Sequence, residues 1–356
     1  MKIFIIILAV ILALIIIFIV SGIAAYKRNL KKDKYDLLNY LKKYNDTMSI
    51  TIKENGTDTL SINSNKEFPL ASTLKIIIAF NFVKAVTNDK FSINEKVKLD
   101  DIDKFYIENT DGGAHPNWKK SIDYPTEVSL MEITKGMMQF SCNACTDFLI
   151  DKIGPDVINE SIEALQLNHD KISYLTPPIL IPGYLSDKRN LAMDKLESMD
   201  KQSYQELSRK LFEKMKVNET ASLVKKAPKM LNEKMQLLIT DKMSSSTTRQ
   251  YADLMFKLGK EFLTKKEKEL FSEIILGENA KDNSDDYFWY KGGSTMFVLT
   301  FALYKEYQDN TTSVSLFIKD DTGGELYWIR NIFKDFVISI ATDMEFRKKV
   351  KKELIN

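Results

Sequence analysis

The sequence predicts an α/β chain of the α+β kind: an antiparallel sheet completed late, flanked by helices, beside a helical lobe. Two short β-like runs, Met48 to Lys53 and Leu60 to Asn63, open the folded part. Two longer ones, Thr295 to Tyr307 and Ser313 to Ile318, come near the end. Between them the apolar residues recur mostly at helical spacing. Strands at both ends with helices between imply a sheet that only the last strands can finish.

The first element is an unbroken apolar run, Ile3 to Val20, continuing through Ser21-Gly-Ile-Ala-Ala25. That is long enough to span a bilayer as a helix. Residues 1–26 are therefore expected to be a signal anchor or a signal peptide, with small residues at Ala24 and Ala25 where cleavage could occur. The run exceeds the usual signal length, which favours an uncleaved anchor. Lys27, Arg28, Lys31, Lys32 and Lys34 follow it, and only Lys2 precedes it. By the positive-inside rule alone, that asymmetry would hold the rest of the chain in the cytoplasm.

Residues 27–45 form a juxtamembrane segment and a first helix. Leu37, Leu38 and Leu41 share a stripe between Asp33 and Tyr44, and Asp33 is the expected N-cap. Residues 46–356 form the main domain. Its first two strands meet at a turn around Asn55-Gly56. A buried helix follows from about Ser72, through the apolar stretch Ile76 to Val83. Residues 91–125 look loop-rich, with Asp111-Gly-Gly and two prolines as breakers. Val128 to Lys152 holds two helical pieces, with Ser141 near the break. Residues of about 155–240 form an enlarged helical insert, whose Pro177-Pro178 and Pro182-Gly183 precede lysine- and glutamate-rich helices that read as a solvated elaboration. Tyr251 to Leu258 is helix-like, Tyr287 to Tyr290 strand-like, and a final helix runs from about Glu325 to Thr342.

At 356 residues the chain can bury a substantial core. Lysine and arginine total 51 against 49 acids, a net of +2, with no basic patch large enough for nucleic acid. The two cysteines, Cys142 and Cys145, are too few for a metal site and are read as small apolar filler rather than a redox pair. His115 and His169 are read as solvated loop residues, with no Gly-x-Ser-x-Gly elbow to serve. Neither cofactor nor metal is expected.

Chemistry is carried by three motifs in one order: Ser72-Thr-Leu-Lys75, Ser141-Cys-Asn143 and Lys291-Gly-Gly-Ser294. On a helix Ser72 and Lys75 stand at i and i+3 and share a face. A serine hydroxyl is a poor nucleophile until a base takes its proton, and a lysine in a dry pocket loses its own proton easily. Each motif alone is weak, since Ser-x-x-Lys recurs at Ser198 and Ser222 and Lys-x-Gly at Lys152 and Lys257. The extra copies lack a buried helix or a strand in the right place.

Taken together, the three motifs resemble those of the penicillin-recognising serine enzymes, the class A β-lactamases and related penicillin-binding proteins. Leu231-Asn-Glu233 and Ser246-Thr-Thr-Arg249 look like the segments that follow that family's omega loop. The resemblance implies a β-lactamase-like fold with a cleft between lobes, and a domain outside the cell membrane. It makes Ser72 the nucleophile and Lys75 its proton acceptor. Ser141 would pass a proton to the leaving nitrogen, and Asn143 would bind the substrate's side-chain amide. Lys291 would attract the substrate carboxylate, with Gly293 letting the substrate backbone approach. Backbone N–H groups of Ser72 and Ser294 would form the oxyanion hole.

The chain departs from the pattern in three places. Cys142 stands where the family has Asp, and Gly292 where it has Thr or Ser. Lys226-Ala-Pro-Lys-Met230, before Leu231-Asn232, carries no carboxylate to activate a deacylating water. Three readings follow. One is a membrane-anchored β-lactamase-like hydrolase that opens β-lactams, slowly. Another is a penicillin-binding protein acting on D-Ala-D-Ala peptides of the cell wall. The third is a β-lactam-binding sensor that acylates once.

Overall fold

The computed structural model describes residues 27–277 and 286–355, together with Phe4, Ile11, Leu12, residues 14–18, Val20 and Gly22. Most of the apolar segment expected to be an anchor or signal lies outside the described residues. Among those described, no helix is long and apolar enough to cross a membrane.

The first helix, Lys34–Lys43, begins where its cap residue dictates. The Asp33 carboxylate accepts the N–H of Tyr35 and Asp36, while Asp36 accepts the N–H of Asp33. Leu37, Leu38 and Leu41 are buried on one stripe. Next come β1 (Met48–Glu54) and β2 (Thr57–Ile62), joined by a hairpin in which Asn55 and Gly56 both have positive φ. The short strands β3 (Phe68–Pro69) and β6 (Ser245–Ser246) pair with each other, as do β4 (Lys96–Lys98) and β5 (Glu127–Ser129). The chain then closes the main sheet with β7 (Tyr287–Ser294), β8 (Val298–Tyr307) and β9 (Asn310–Lys319).

The main sheet is antiparallel, in the order β2-β1-β9-β8-β7. The first strand therefore lies against the last, Met48 opposite Ile318 and Ile52 opposite Val314. Alternation sorts the side chains of β1. Met48, Ile50 and Ile52 face a core shared with the Leu326–Thr342 helix. Ser49 and Thr51 point the other way and bond the Thr248 hydroxyl at 2.6 and 3.0 Å. Both faces of the sheet are thus covered, and the larger core fills the helical lobe.

Three sequence expectations change. Residues 91–125 are not simply loop: they hold the helices Leu99–Asp103 and Ala114–Ser121. The second of these starts where the Asp111 carboxylate accepts the N–H of Gly113 and His115, a local bond that the Gly-Gly breaker conceals. A further helix, Met344–Ile355, follows the one expected to be last. The strand expected over Tyr287 to Tyr290 runs on through Lys291 to Ser294.

Candidate active site

Ser72 does not open the long helix. It lies in a 3₁₀ turn, Ala71–Leu74, and the helix proper begins at Lys75 and runs to Thr87. The turn is clamped from both sides. The Leu70 N–H donates to Ser244 O at 3.0 Å, and Leu70 O accepts the Thr300 hydroxyl at 2.8 Å. Thr73 reaches the same Thr300 oxygen at 2.7 Å. Ala71 is held at φ 45°, a left-handed conformation that costs a non-glycine residue about 1–3 kcal/mol. Neighbouring contacts hold that strained turn, and Ser72 sits on it.

Lys75 is fully buried, and its ammonium is satisfied by the middle motif. Its Nζ donates to Ser141 O at 2.6 Å and Asn143 Oδ1 at 2.9 Å, and lies 3.4 Å from Ser141 Oγ. Ser141 occupies the break between the helices Leu130–Gln139 and Asn143–Ile153, with φ 65°. On its other side Ser141 Oγ accepts from Lys291 Nζ at 3.0 Å. One hydroxyl therefore bridges two buried lysines. Burial, which disfavours the charged form, lowers the Lys75 pKa to about 8, and nearby Cys142 and Asp147 oppose it. Burial and the nearby Lys75 charge lower Lys291 as well.

The edge strand β7 brings Gly293 against the serine turn. A Cβ at Gly293 would lie 2.6 Å from Leu70 O, Ser72 N and Thr300 Oγ1, so only glycine permits this approach. Gly292 has a different reason. It pairs with Phe301, whose ring would be 3.1 Å from an added Cβ and stacks on Tyr290 with centroids 5.6 Å apart.

These elements enclose a cleft of about 900 Å³ lined by Ser72, Ser141, Asn143, Lys291, Gly293 and Ser294. Lys75 lies beneath it, bonded to Ser141 and Asn143. All seven residues singled out in the sequence therefore come together. Arg330 and Lys334 of the Leu326–Thr342 helix also line the cleft, where Arg330 donates to Thr295 O and Lys334 to the Tyr290 hydroxyl. Only the location of their helix, not their role, was legible in the sequence.

The insert is more than a solvated elaboration. Its helices Ala221–Met230 and Glu233–Asp241, with the segment that carries Leu175 and Ile179, turn an apolar side to the cleft. Leu175, Ile179, Ala227, Leu231 and Ile239 form that wall, with Gln236 as a polar member. Among the described residues the wall contains no carboxylate, and the lining acids, Glu108 and Asp111, come from a different loop. Asp147 fastens the wall: its buried carboxylate accepts the N–H of Leu175 at 2.6 Å and of Thr176 at 2.8 Å. Burial pushes the Asp147 carboxyl up to about 7, against the pull of those hydrogen bonds.

His115, expected in solvent, is buried. Its ring lies between Asp103, at 2.7 Å from Nε2, and Cys142, at 3.3 Å from Nδ1. Long-range packing brings these three residues together, and no local pattern announces it. His169 is half-buried and stays away from Ser72, with Nε2 3.0 Å from the Tyr251 hydroxyl. Among the described residues no cluster could hold a metal ion.

A model of the β-lactamase enzyme family matches residues 32–284. β-Lactamase BRO-1 of Moraxella catarrhalis is 30% identical over 112 residues, 32% of this chain and 34% of that protein, so the chain matches about a third of this curated relative's length. The crystal structure of TLA-3 extended-spectrum β-lactamase superposes with a TM-score of 0.53 at 14% identity, covering 91% of this chain and 98% of that one. A class A β-lactamase from Bacteroides cellulosilyticus gives 0.52 at 14% identity, covering 88% and 100%. At such identities the likeness is one of fold.

Proposed function

This chain belongs to the β-lactamase enzyme family, a serine β-lactamase-like hydrolase by class, and on that footing we propose that Ser72 forms an acyl-enzyme with β-lactams and that the protein hydrolyses them slowly. The observation that carries this reading is the bridge Lys75–Ser141–Lys291 beneath the cleft that Ser72 lines. Lys75 is the base that takes the Ser72 proton, and its dry surroundings make the neutral amine accessible. Ser141, held between two lysines, hands a proton to the leaving nitrogen. Lys291 and the cleft-lining cation Arg330 attract the substrate carboxylate, offsetting the hydroxyl missing at Gly292. The test is a time course with a fluorescent penicillin on the purified ectodomain, following labelling and then release. Absence of any covalent label removes the reading.

The carboxylate-free wall also favours a second reading, a D-Ala-D-Ala peptidase of the penicillin-binding type. Release of D-alanine from a D-Ala-D-Ala peptide, faster than β-lactam turnover, would select it.

Acylation should rise with pH through about 8, because the amine form of Lys75 is the base and its fraction grows as pH passes its pKa. Labelling rates measured on both sides of that pH check this, and a flat profile assigns the proton transfer elsewhere. Gly293→Ala should slow acylation about 10²–10³-fold, the cost of losing one oxyanion donor, because the new methyl group displaces the Ser72 N–H.

The apolar segment at residues 1–26 is taken as an anchor, with the catalytic domain outside the membrane. Protease added to intact spheroplasts should then digest the domain beyond Lys34. Protection would mean that the basic flank sets orientation instead.

A further inference from the structure

We propose that Cys142 is carried as a thiolate paired with the His115 imidazolium, and that this buried couple is the positioning element that holds Ser141 and Asn143 on Lys75. The inference rests on the acyl-enzyme reading above and extends it to the one motif position where the chain departs in charge.

The groups around the sulfur are ones that stabilise an anion there. The Asp103 carboxylate, itself paired with Lys119 at 2.6 Å, lies 2.7 Å from His115 Nε2 and so keeps a proton on that nitrogen. The other nitrogen faces Cys142 Sγ at 3.3 Å. The same sulfur accepts the Cys145 N–H at 3.3 Å as the N-cap of the Asn143–Ile153 helix. It therefore stands at the positive end of an 11-residue helix, where a negative charge is favoured. The imidazole cannot easily rotate away, since Tyr106 stacks on it with centroids 4.5 Å apart. Among the described residues, the titratable groups that act on Cys142 and its partners include His115, Cys145, Lys75, Tyr106, Asp111, Asp103 and Lys119.

The local electrostatics agrees with the geometry. Burial alone would raise the Cys142 thiol, but the bonds from Cys145 and His115 outweigh it and bring the pKa down to about 6. Burial alone would lower His115, but Asp103 and Cys142 raise it to about 9. Between those values both partners are charged. The side chain of Cys142 turns to His115 while its two neighbours turn to Lys75, so the couple fixes the backbone from which both act. The change from Asp to Cys then alters the anion without removing it.

The experiment uses the whole ectodomain and two readouts, thiolate ultraviolet absorbance against pH and the rate of labelling by a fluorescent penicillin. The parent protein should show a thiolate band at neutral pH that is lost in Cys142→Ala and kept in Cys145→Ala. His115→Gln, which leaves the sulfur in place, should move the appearance of that band to higher pH. Cys142→Ala should slow labelling about 10²-fold, the scale of a small misplacement of reacting groups, and Cys142→Asp should recover most of that loss. A parent protein without a Cys142-dependent band overturns the proposal, as does labelling of Cys142→Ala at the parental rate. If the parent shows the band yet never labels, the acyl-enzyme reading falls and the thiolate couple stands.

Discussion

Ser72→Ala should abolish covalent labelling by a fluorescent penicillin, whereas Ser198→Ala and Ser222→Ala should label as the parent does. All three serines open a Ser-x-x-Lys, so the contrast tests the environment rather than the motif. The lysine after Ser198 is Lys201, which is partly exposed and paired with the Asp170 carboxylate at 2.6 Å. Ser198 itself donates to Asp194 O on an exposed helix, and Ser222 is exposed in the insert. Among the described residues Lys75 has no carboxylate bonded to it, only carbonyl, amide and hydroxyl oxygens in a dry site. Removing a serine nucleophile costs on the order of 10⁶ in rate elsewhere, which takes labelling below detection. Ser72 lies inside its 3₁₀ turn, whose N-cap is Leu70, so the substitution should leave the melting temperature nearly unchanged. Residual labelling in a folded Ser72→Ala protein would mean that another residue is the nucleophile.

What the sequence made legible follows from the range of the forces involved. Local rules placed the Asp33 cap, the Asn55-Gly56 hairpin and the apolar helix behind Lys75, because each depends on residues within one turn. Family-like spacing placed Ser72, Ser141 and Lys291 in one cleft, although 219 positions separate the first from the last. Features that depend on packing at a distance stayed hidden. No pattern around His115 announces Asp103 or Cys142, and none around Gly292 announces the Phe301 ring. The insert was misjudged for a related reason. Its surface is rich in lysine and glutamate, so its composition reports the solvent side, while the few apolar residues that face the cleft are scattered over short helices and the segments between them. The strained φ at Ala71 is likewise invisible, because alanine gives no hint of a left-handed backbone.

A β-lactam mixed with this protein should give a burst of one equivalent of opened ring, followed by slow turnover. Acylation draws on groups that stand together: Ser72 in the cleft, Lys75 beneath it and the β7 edge beside the serine turn. Deacylation needs a water placed at the acyl ester and stripped of a proton, help typically worth about 10²–10⁴-fold. The wall that would supply it, from Leu175 to Ile239, carries no carboxylate among the described residues, and Asp147 is spent on the backbone of Leu175 and Thr176. Lys75 can serve as a substitute base, so turnover is slow rather than absent. Stopped-flow hydrolysis of a chromogenic cephalosporin measures both phases. A carboxylate placed in the wall by Leu175→Glu should speed the second phase more than the first, most clearly above neutral pH, where a carboxyl buried among apolar neighbours has ionised. Rapid steady turnover without a burst in the parent would instead assign the missing base to Glu108, the described carboxylate that lines the cleft from the opposite loop without the backbone bonds that hold Asp111.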